Sequence, residues 1–251
     1  MGLGDWFSGN KKAKFREELK DAVGQGKLTD KKMAELEEVR RRLEVSAADD
    51  DKTKFRREVF ETAVSAVRAG GQLTEKEAAE LAKIQKYLGL RDDQIAESQA
   101  ELVRLRQITE IAEGRFPVIT QGNIGLRGVQ LEAGETAHYC VSAELLEGDV
   151  GNGEKGARFP WNMTYPLGLG KGKTIPSAGT NSLGSGYLII TDRRVILRTD
   201  NRFVDFKFRE PEIFVYQNGF RFELGKRTFF VKSRTNDVND MAGMLLSKLM
   251  A

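Results

Sequence analysis

The first half of the chain carries apolar residues at the spacing of an α-helix. The recurring positions are Phe55, Val59, Ala63 and Ala66 in one segment and Leu81, Ile84 and Leu88 in a later one. Residues 11–114 contain no proline, so no residue in this stretch breaks the helical pattern. Apolar faces of this kind must be buried together, and the pattern therefore predicts a bundle of helices.

Two blocks within this half repeat the same features. Each starts with "KFR", reaches a glycine turn that ends in Leu-Thr, and continues into a second amphipathic segment. The glycine can take the left-handed conformation that ends a helix, and Thr29 or Thr74 can cap the next helix. Only the second block has a full capping box, because Glu77 stands where the first block has Lys32. Residues 1–116 are therefore expected to form a bundle with two internal helix-turn-helix repeats.

After Pro117 the pattern changes to short, alternating segments that are typical of β-strands. Asn218-Gly219 is a strong two-residue hairpin signal, and the alternation in "RFVDFKF" indicates a sheet with one buried side. The last segment has an apolar stripe, with Asn236 or Asp237 available as its cap. The stripe consists of Val238, Met241, Leu245 and Leu249. This order predicts an antiparallel barrel closed by a C-terminal helix.

The motif "GSGYLIITDRRVIL" contains Gly186, Thr191, Asp192 and Arg194 in a glycine, strand, turn, strand order. With "LEAGETAHYCVSAEL" before it, residues 125–251 resemble the bacterial PH/GRAM-like branch of the pleckstrin-homology-like superfold. The resemblance implies a PH-like antiparallel β-barrel with a C-terminal capping helix, in a family that includes lipid binders, peptide binders and assembly modules. Asp192 is expected to shape its turn with a side-chain-to-backbone hydrogen bond.

The block "RAGGQLTEKEAAELAKIQKYLGLRDDQIAES" has a glycine turn, Leu-Thr, a glutamate three residues later and a closing "YLGL". Residues 50–114 therefore resemble tellurite-resistance TerB-like proteins. In that family an acidic residue before the glycine supports metal binding, but Gly70 and Gln25 occupy the corresponding positions here. This departure from the family pattern favours a packing role for the turns over metal binding. The overall expectation is an α+β chain, with an all-α helical-hairpin bundle over 1–116 followed by a PH/GRAM-like β domain over 117–251.

Candidate chemistry is sparse. The chain has one histidine, His138, and one cysteine, Cys140, which rules out an internal disulfide and is too few for a zinc site of the usual kind. The two residues are expected on one face of a strand, with no third group to orient them. Asp49-Asp50-Asp51 are interpreted as acidic residues at a helix N-terminus. We predict no catalytic residue, no metal site and no cofactor.

The long connection over residues 148–185 contains "GKGKT", which is similar to part of a phosphate-binding loop. The required first glycine is replaced by Leu167, and Pro176 follows where a helix should begin. No nucleotide site is therefore expected. Trp161 lies close in sequence to Lys171 and Lys173, an arrangement that fits either a lipid headgroup interface or aromatic residues that close the barrel.

Charge narrows the choice of partners. Residues 1–115 carry 23 basic and 23 acidic side chains, so the net charge of +3 lies in residues 116–251. This excess is too weak for a dedicated nucleic-acid-binding protein. The chain shows no signal peptide and no apolar run long enough to span a bilayer, and a cytoplasmic location is expected.

These observations favour a non-catalytic binding or adaptor protein of bacterial type, which associates with a protein partner or with itself through the PH-like β half and uses the helical repeat as a scaffold. The alternative is peripheral recognition of anionic lipid at the inner face of the membrane, for which the candidate contacts are Trp6, Phe7, Trp161, Lys171, Lys173, Arg193 and Arg194. Trp6 and Phe7 alternatively pin the N-terminus onto neighbouring helices. A hydrolase activity without a recognisable motif is the second alternative.

Overall fold

The computed structural model describes residues 3–43, 53–120, 122–148, 156–161, 164–176, 179–233 and 238–250. The chain divides into two compact units, Met1–Thr109 and Glu110–Ala251. The helices are α1 (Leu3–Val23), α2 (Asp30–Arg42), α3 (Thr53–Ala69), α4 (Glu75–Tyr87), α5 (Ala96–Ala112) and α6 (Val238–Leu249). The strands are β1 (Ala137–Gly148), β2 (Ala157–Arg158), β3 (Thr180–Thr191), β4 (Arg194–Thr199), β5 (Phe203–Lys207), β6 (Glu212–Tyr216), β7 (Gly219–Leu224) and β8 (Arg227–Ser233).

The turns of the helical unit follow the predicted chemistry. Gly26 and Gly71 have φ values of 67° and 74°, the left-handed region that glycine favours. Thr29 accepts a hydrogen bond from the Lys32 amide and caps α2. Thr74 caps α4 with the full capping box, because the Glu77 carboxylate also accepts from the Thr74 amide at 2.9 Å. Both predicted caps are confirmed.

The core of the helical unit is built from corresponding positions of the two repeats. Phe15 of α1 and Phe55 of α3 are both buried, and α1 packs against α2 and α3, while α3 packs against α4. Leu36 of α2 and Leu81 of α4 are each 1% exposed. Each hairpin therefore buries its apolar face against the other hairpin, as helices with one apolar stripe require.

The β unit contains one eight-stranded sheet in the order β2-β6-β7-β8-β1-β3-β4-β5. All ladders between the described strands are antiparallel. The predicted α+β class, with an N-terminal helical half and a sheet that is followed by a final helix, is confirmed. The predicted barrel closure is wrong, because β2 and β5 are the two edges of the sheet and no ladder among the described residues joins them. Closure would need long strands at these edges, and β2 has two residues while β5 has five.

One face of the sheet forms the core of the unit, and α6 packs against β7. Cross-strand pairs place the same-face residues Ile190, Val195, Phe206, Phe220, Phe222, Val231 and Val215 in this core. The Asn239 side chain donates to the Tyr216 and Gln217 carbonyls at the start of α6, and Arg209 donates to the Met250 carbonyl just after its end. Both ends of the helix are therefore held to the sheet and its connections.

The predicted apolar stripe of α6 is only partly right. Leu245 is buried, but Met241 and Leu249 are half-buried, while Ala242, Met244 and Leu246 are fully buried. The helix is covered on more than one side, since a Cβ at Gly243 would lie 2.3 Å from the Tyr165 ring. The predicted caps Asn236 and Asp237 lie outside the described residues, as does the side chain of Val238.

Candidate functional site

The helical unit has an open groove between α4 and α5, with α3 as its floor. We call it the α4–α5 groove. It has a volume of about 150 Å³ and is lined by Phe60, Leu73, Ala78, Leu81, Ala82, Gln85, Gln99, Leu102, Val103 and Arg106.

Small residues and two polar ties explain why the groove stays open. Ala78 and Ala82 lie one turn apart on α4 and leave space above the buried Phe60 ring. At one end the Leu73 amide donates to Thr109 Oγ1 of α5 at 2.8 Å. At the other end Gln99 of α5 donates to Gln85 of α4 at 3.4 Å, the longest of these contacts. α5 is thus held beside α4 at two separated points.

The mouth of the groove is apolar and carries one positive charge. Val103 is 56% exposed, so its side chain offers apolar surface at this mouth. Arg106 lies one turn further along α5, and within the described part of the chain it has no ion-pair partner. The amide of Gln85 is already used, because its Nε2 donates to the Leu90 carbonyl and to Asp92. The groove therefore offers apolar contact area with a cation at its rim.

The β unit carries the glycine-rich stretch in a segment that packs on its own sheet and helix. We call residues 164–176 the glycine segment. The amides of Tyr165 and Gly168 donate to Ser247 and Asp240 of α6. The amides of Gly172 and Ile175 donate to the side chains of Gln217 and Asn218 in the β6–β7 hairpin. These amides bind the chain itself, which gives the glycines a packing role.

Lys171 and Lys173 are exposed on this segment, and the Gln217 amide donates to the Lys173 carbonyl at 2.6 Å. Trp161 is half-buried and packs edge-on against Phe159, with ring centroids 5.1 Å apart. Phe159 in turn contacts Tyr165 at 5.8 Å. The aromatic residues therefore line the β2 edge and α6, while the two lysines project from a segment tied to the hairpin.

The β3–β4 turn contains the other two predicted contact residues, and they differ sharply. Arg193 is 43% exposed in its side chain and binds Glu132 and the Ala133 carbonyl. Arg194 is 15% exposed and holds the fully buried Glu135 carboxylate with two hydrogen bonds of 2.8 and 2.9 Å, and it also binds Asp205. The charge of Arg194 is therefore used inside the fold.

The buried carboxylate of this network remains ionised. Burial raises the pKa of Glu135, but the hydrogen bonds from Arg194 and from the Glu132 amide outweigh it and hold the pKa below its ordinary value. The hydrogen bonds of Arg194 to Glu135 and Asp205 raise the pKa of its guanidinium further above its usual range. The predicted role of Asp192 changes, since Thr191 Oγ1 accepts from the Arg193 and Arg194 amides and shapes the turn. Asp192 instead accepts from the Thr136 amide and ties the turn to a distant segment.

The remaining candidates of the sequence analysis are placed as follows. Trp6 and Phe7 belong to α1, and their side chains lie outside the described part. His138 stands at a β-bulge, 8% exposed, with Nδ1 2.7 Å from the Pro117 carbonyl. Cys140 is half-buried, and burial raises the pKa of its thiol to about 11.

The described ranges of the chain carry no metal cluster and no membrane-spanning helix. They contain no group of three or more His, Cys, Asp or Glu side chains that could hold a metal ion. None of their helices combines the length and the apolar character that a bilayer span requires.

No protein-family model matches this sequence, and no curated protein matches it. Among solved structures, the chain is similar to a crystal structure of the N-terminally truncated linker-DH/PH domains of p115-RhoGEF. The match covers 100% of this chain and 72% of that chain, with a TM-score of 0.27 and 9% sequence identity. The GRAM-like and TerB-like resemblances stay predictions.

The sequence analysis missed the α4–α5 groove. Its local signal is the pair of alanines one turn apart on α4, opposite an apolar Val103 that lies off the buried stripe of α5. The hydrogen bond from the Leu73 amide to Thr109, which holds α5 beside α4, joins residues 36 positions apart. A contact of this kind produces no periodic pattern in the sequence.

Proposed function

We propose that the chain is a non-catalytic binding module that associates with a protein partner through the α4–α5 groove. The supporting observation is an open apolar groove with the 56% exposed Val103 at its mouth and, at its rim, Arg106, which has no ion-pair partner among the described residues. The sequence analysis assigned docking to the β half, and the groove moves this role to the helical unit.

The proposed occupant is an amphipathic helix with acidic residues beside its apolar face. A groove between two helices accepts the i, i+3/i+4, i+7 side chains of a third helix. Each apolar side chain buried there contributes about 1.5–3 kcal/mol before the cost of association. A carboxylate on the partner would pair with Arg106, so the charge at the rim favours an acidic over a basic partner.

The test uses two synthetic amphipathic helices of about five turns, identical in their leucine face and carrying either glutamate or lysine on the flanks. Fluorescence anisotropy with the full chain should show binding of the glutamate peptide at least about tenfold tighter than the lysine peptide. Val103→Glu should abolish this binding. Val118→Glu is the matched control, because Val118 is 66% exposed and belongs to the other unit. Equal binding by both variants, or no binding of either peptide, would refute the proposal.

A second candidate function is recognition of anionic lipid at the inner face of the membrane. It is favoured by Lys171 and Lys173, which are exposed on a segment tied to the β6–β7 hairpin. A basic residue near an anionic surface contributes about 1 kcal/mol, and salt screens it. Co-sedimentation with phosphatidylserine vesicles should therefore fall with salt and in the Lys171→Glu/Lys173→Glu variant. Lys226→Glu, which alters an exposed lysine of the β7–β8 turn, is the control. Absence of sedimentation at low salt would dismiss this function.

The absence of catalysis is part of the proposal and has its own test. Burial raises the pKa of the Cys140 thiol to about 11, so this thiol is not prepared to act as a nucleophile at neutral pH, and His138, 8% exposed with Nδ1 against the Pro117 carbonyl, is largely shielded from a substrate. Hydrolysis of an activated ester by the full chain should equal that of the His138→Ala/Cys140→Ala variant. A rate that falls in this variant would reopen the hydrolase alternative.

A further inference from the structure

Strand β5 is an edge of the sheet that pairs on one side only. Its five residues bind β4 in the pairs that run from Arg194 with Lys207 to Arg198 with Phe203. An edge strand leaves a row of backbone donors and acceptors for another strand to use.

The hydrogen bonds of the β4–β5 turn show which groups face outward. The Thr199 amide donates to the Arg202 carbonyl, so this pair is hydrogen-bonded, and the pairs alternate from there along an antiparallel ladder. Val204 therefore directs its backbone groups toward β4, whereas Phe203 and Asp205 direct theirs outward. Lys207 also faces outward, which agrees with its amide donating to the Glu210 carboxylate.

The outward row is blocked at both ends by local contacts. At one end the Glu210 carboxylate binds the Lys207 amide and the Glu210 amide binds the Lys207 carbonyl. At the other end the Asn201 amide donates to Thr199 Oγ1. Between these ends, Phe203 and Asp205 each offer one N–H and one C=O that have no partner among the described residues.

The usual protection of such an edge is weak here. A charged residue on an edge strand normally discourages pairing, but the Asp205 carboxylate is partly compensated by Arg194, which it shares with Glu135. Phe203 is 48% exposed, and beside it Arg198 donates to the Gly125 carbonyl, next to Ile124, which is 61% exposed. The edge thus combines free backbone groups with an exposed aromatic side chain, Phe203.

We propose that two copies of this chain pair their β5 strands antiparallel about a two-fold axis at Val204. In this register Phe203 of each copy lies opposite Asp205 of the second copy, and the outward groups of these two residues form four hydrogen bonds. The Phe203 rings become diagonal neighbours within reach of each other. The interface is isologous, as a two-fold dimer requires.

Neighbouring registers are less favourable for reasons visible in the same strand. An axis at Asp205 would place this carboxylate opposite itself and would need the Lys207 groups that Glu210 occupies. An axis at Phe203 would need the Asn201 amide that Thr199 binds. Only the register centred on Val204 uses the free groups and no others. This pairing involves a different surface from the α4–α5 groove and does not depend on it.

Cysteine cross-linking of the full chain tests the register. In a dimer centred on Val204, the two Val204 residues form a non-hydrogen-bonded pair, where Cβ atoms are close enough for a disulfide. Val204→Cys should form a disulfide-linked dimer under mild oxidation. Lys207→Cys, an exposed position on the same strand, lies opposite Asn201 and should not. Equal cross-linking of both variants, or of neither, would overturn the proposal.

A pair of charge substitutions at one exposed position gives an independent readout. Phe203→Asp places like charges opposite each other twice in the dimer, whereas Phe203→Lys places a lysine opposite Asp205. Light scattering over a concentration series should show that the wild-type chain is a dimer. For Phe203→Asp the dissociation constant of the dimer should be at least about tenfold higher, whereas Phe203→Lys should remain a dimer. A wild-type chain that is monomeric at its highest soluble concentration, even one that binds an unrelated extended peptide at this edge, would overturn self-pairing. Identical behaviour of the two variants would also overturn it.

Discussion

The contacts that stabilise the two units of this chain differ strongly in sequence separation. In the helical unit, the caps join residues three positions apart, as in Thr74 with Glu77. In the β unit, Arg194 binds Glu135 across 59 positions, and the Tyr165 amide binds Ser247 across 82. Local chemistry therefore decides where helices begin and end, while the β unit depends on side chains that meet only after the chain has folded.

The helical unit contains one informative exception. Its groove depends on the bond between Leu73 and Thr109, which spans 36 positions. The feature that we assign to binding thus depends on a contact between residues far apart in the sequence, although it lies in the unit whose helix ends are set locally. Pairs of matched substitutions can show whether the sequence separation of a contact predicts how much stability is lost when the contact is removed.

The largest loss of stability is expected from the buried ion pair of Arg194 with Glu135, which joins residues 59 positions apart in the sequence. Arg194→Met leaves the Glu135 carboxylate, 0% exposed, without its bidentate partner, and this should cost about 3–5 kcal/mol. Urea unfolding followed by Trp161 fluorescence in a Trp6→Phe background would measure it. Arg193→Met is the control, since its exposed pair with Glu132 should contribute about 0–1 kcal/mol. Similar losses for the two variants would contradict the contrast between buried and exposed arginines.

The same carboxylate predicts a pH dependence. Because the pKa of Glu135 is lower in the folded than in the unfolded chain, its stabilisation is present above the unfolded pKa, about 4.5, and is lost as the pH falls through the folded pKa. The free energy of unfolding of the β unit should therefore drop below about pH 4.5. In Arg194→Met this part of the drop should vanish. A wild-type profile that is flat in this range would refute the assignment.

A smaller effect is expected where the glycine segment meets β6. Gly170 has a φ of 83°, and an added Cβ would lie 2.6 Å from the Val215 carbonyl oxygen, so Gly170→Ala should cost about 2–4 kcal/mol from strain and overpacking. Gly172 has a similar φ of 81° with open space around it. Gly172→Ala should therefore show only the backbone strain, about 1–2 kcal/mol. If both variants unfold at the same urea concentration, the close packing on β6 is not energetically important.

The smallest effects are expected at the local caps. Thr74→Ala should destabilise the helical unit by about 1 kcal/mol, because it removes the threonine hydroxyl that accepts from the Glu77 amide in the first turn of α4. Thr29→Ala should cost less, since α2 has the cap without the reciprocal bond. Thermal unfolding followed by circular dichroism at the helical transition would compare them. A larger loss for Thr29→Ala would show that the box adds nothing.

The part of the fold that the sequence predicts is the part set by neighbouring residues. Helix caps, the antiparallel strands and the β6–β7 hairpin follow from patterns shorter than about a dozen residues, although the hairpin loop is Gln217-Asn218 and the predicted Gly219 already belongs to β7. The barrel closure and the α6 stripe were mispredicted because both depend on what covers a surface. Tyr165, 78 positions before Gly243, covers a side of α6 that its own pattern marks as polar.

The candidate sites also contain some features that neighbouring residues set and others that depend on distant segments. The motif around Thr191 is visible in the sequence, but the roles of Asp192 and Arg194 emerge only when the Thr136 and Glu135 segments arrive beside them. The free edge of β5 follows from the alternation of a ladder whose phase is set by one turn, Thr199 to Arg202. Sequence patterns locate such strands without fixing which of their backbone groups remain unpaired.

The position of β1 in the middle of the sheet has a consequence for synthesis on the ribosome. β1 pairs with β3 and with β8, but β8 begins 36 residues after β3 ends. At about 5–20 residues per second, the newly made β1–β3 hairpin waits roughly two to seven seconds with one side of β1 uncovered. Glu144 and Glu147 lie on β1 through this interval and later bind Lys232 and Arg227 of the arriving strand. We expect these carboxylates to disfavour pairing of the uncovered side with other chains until β8 arrives, with Glu147 also able to pair with Arg202, which is made earlier.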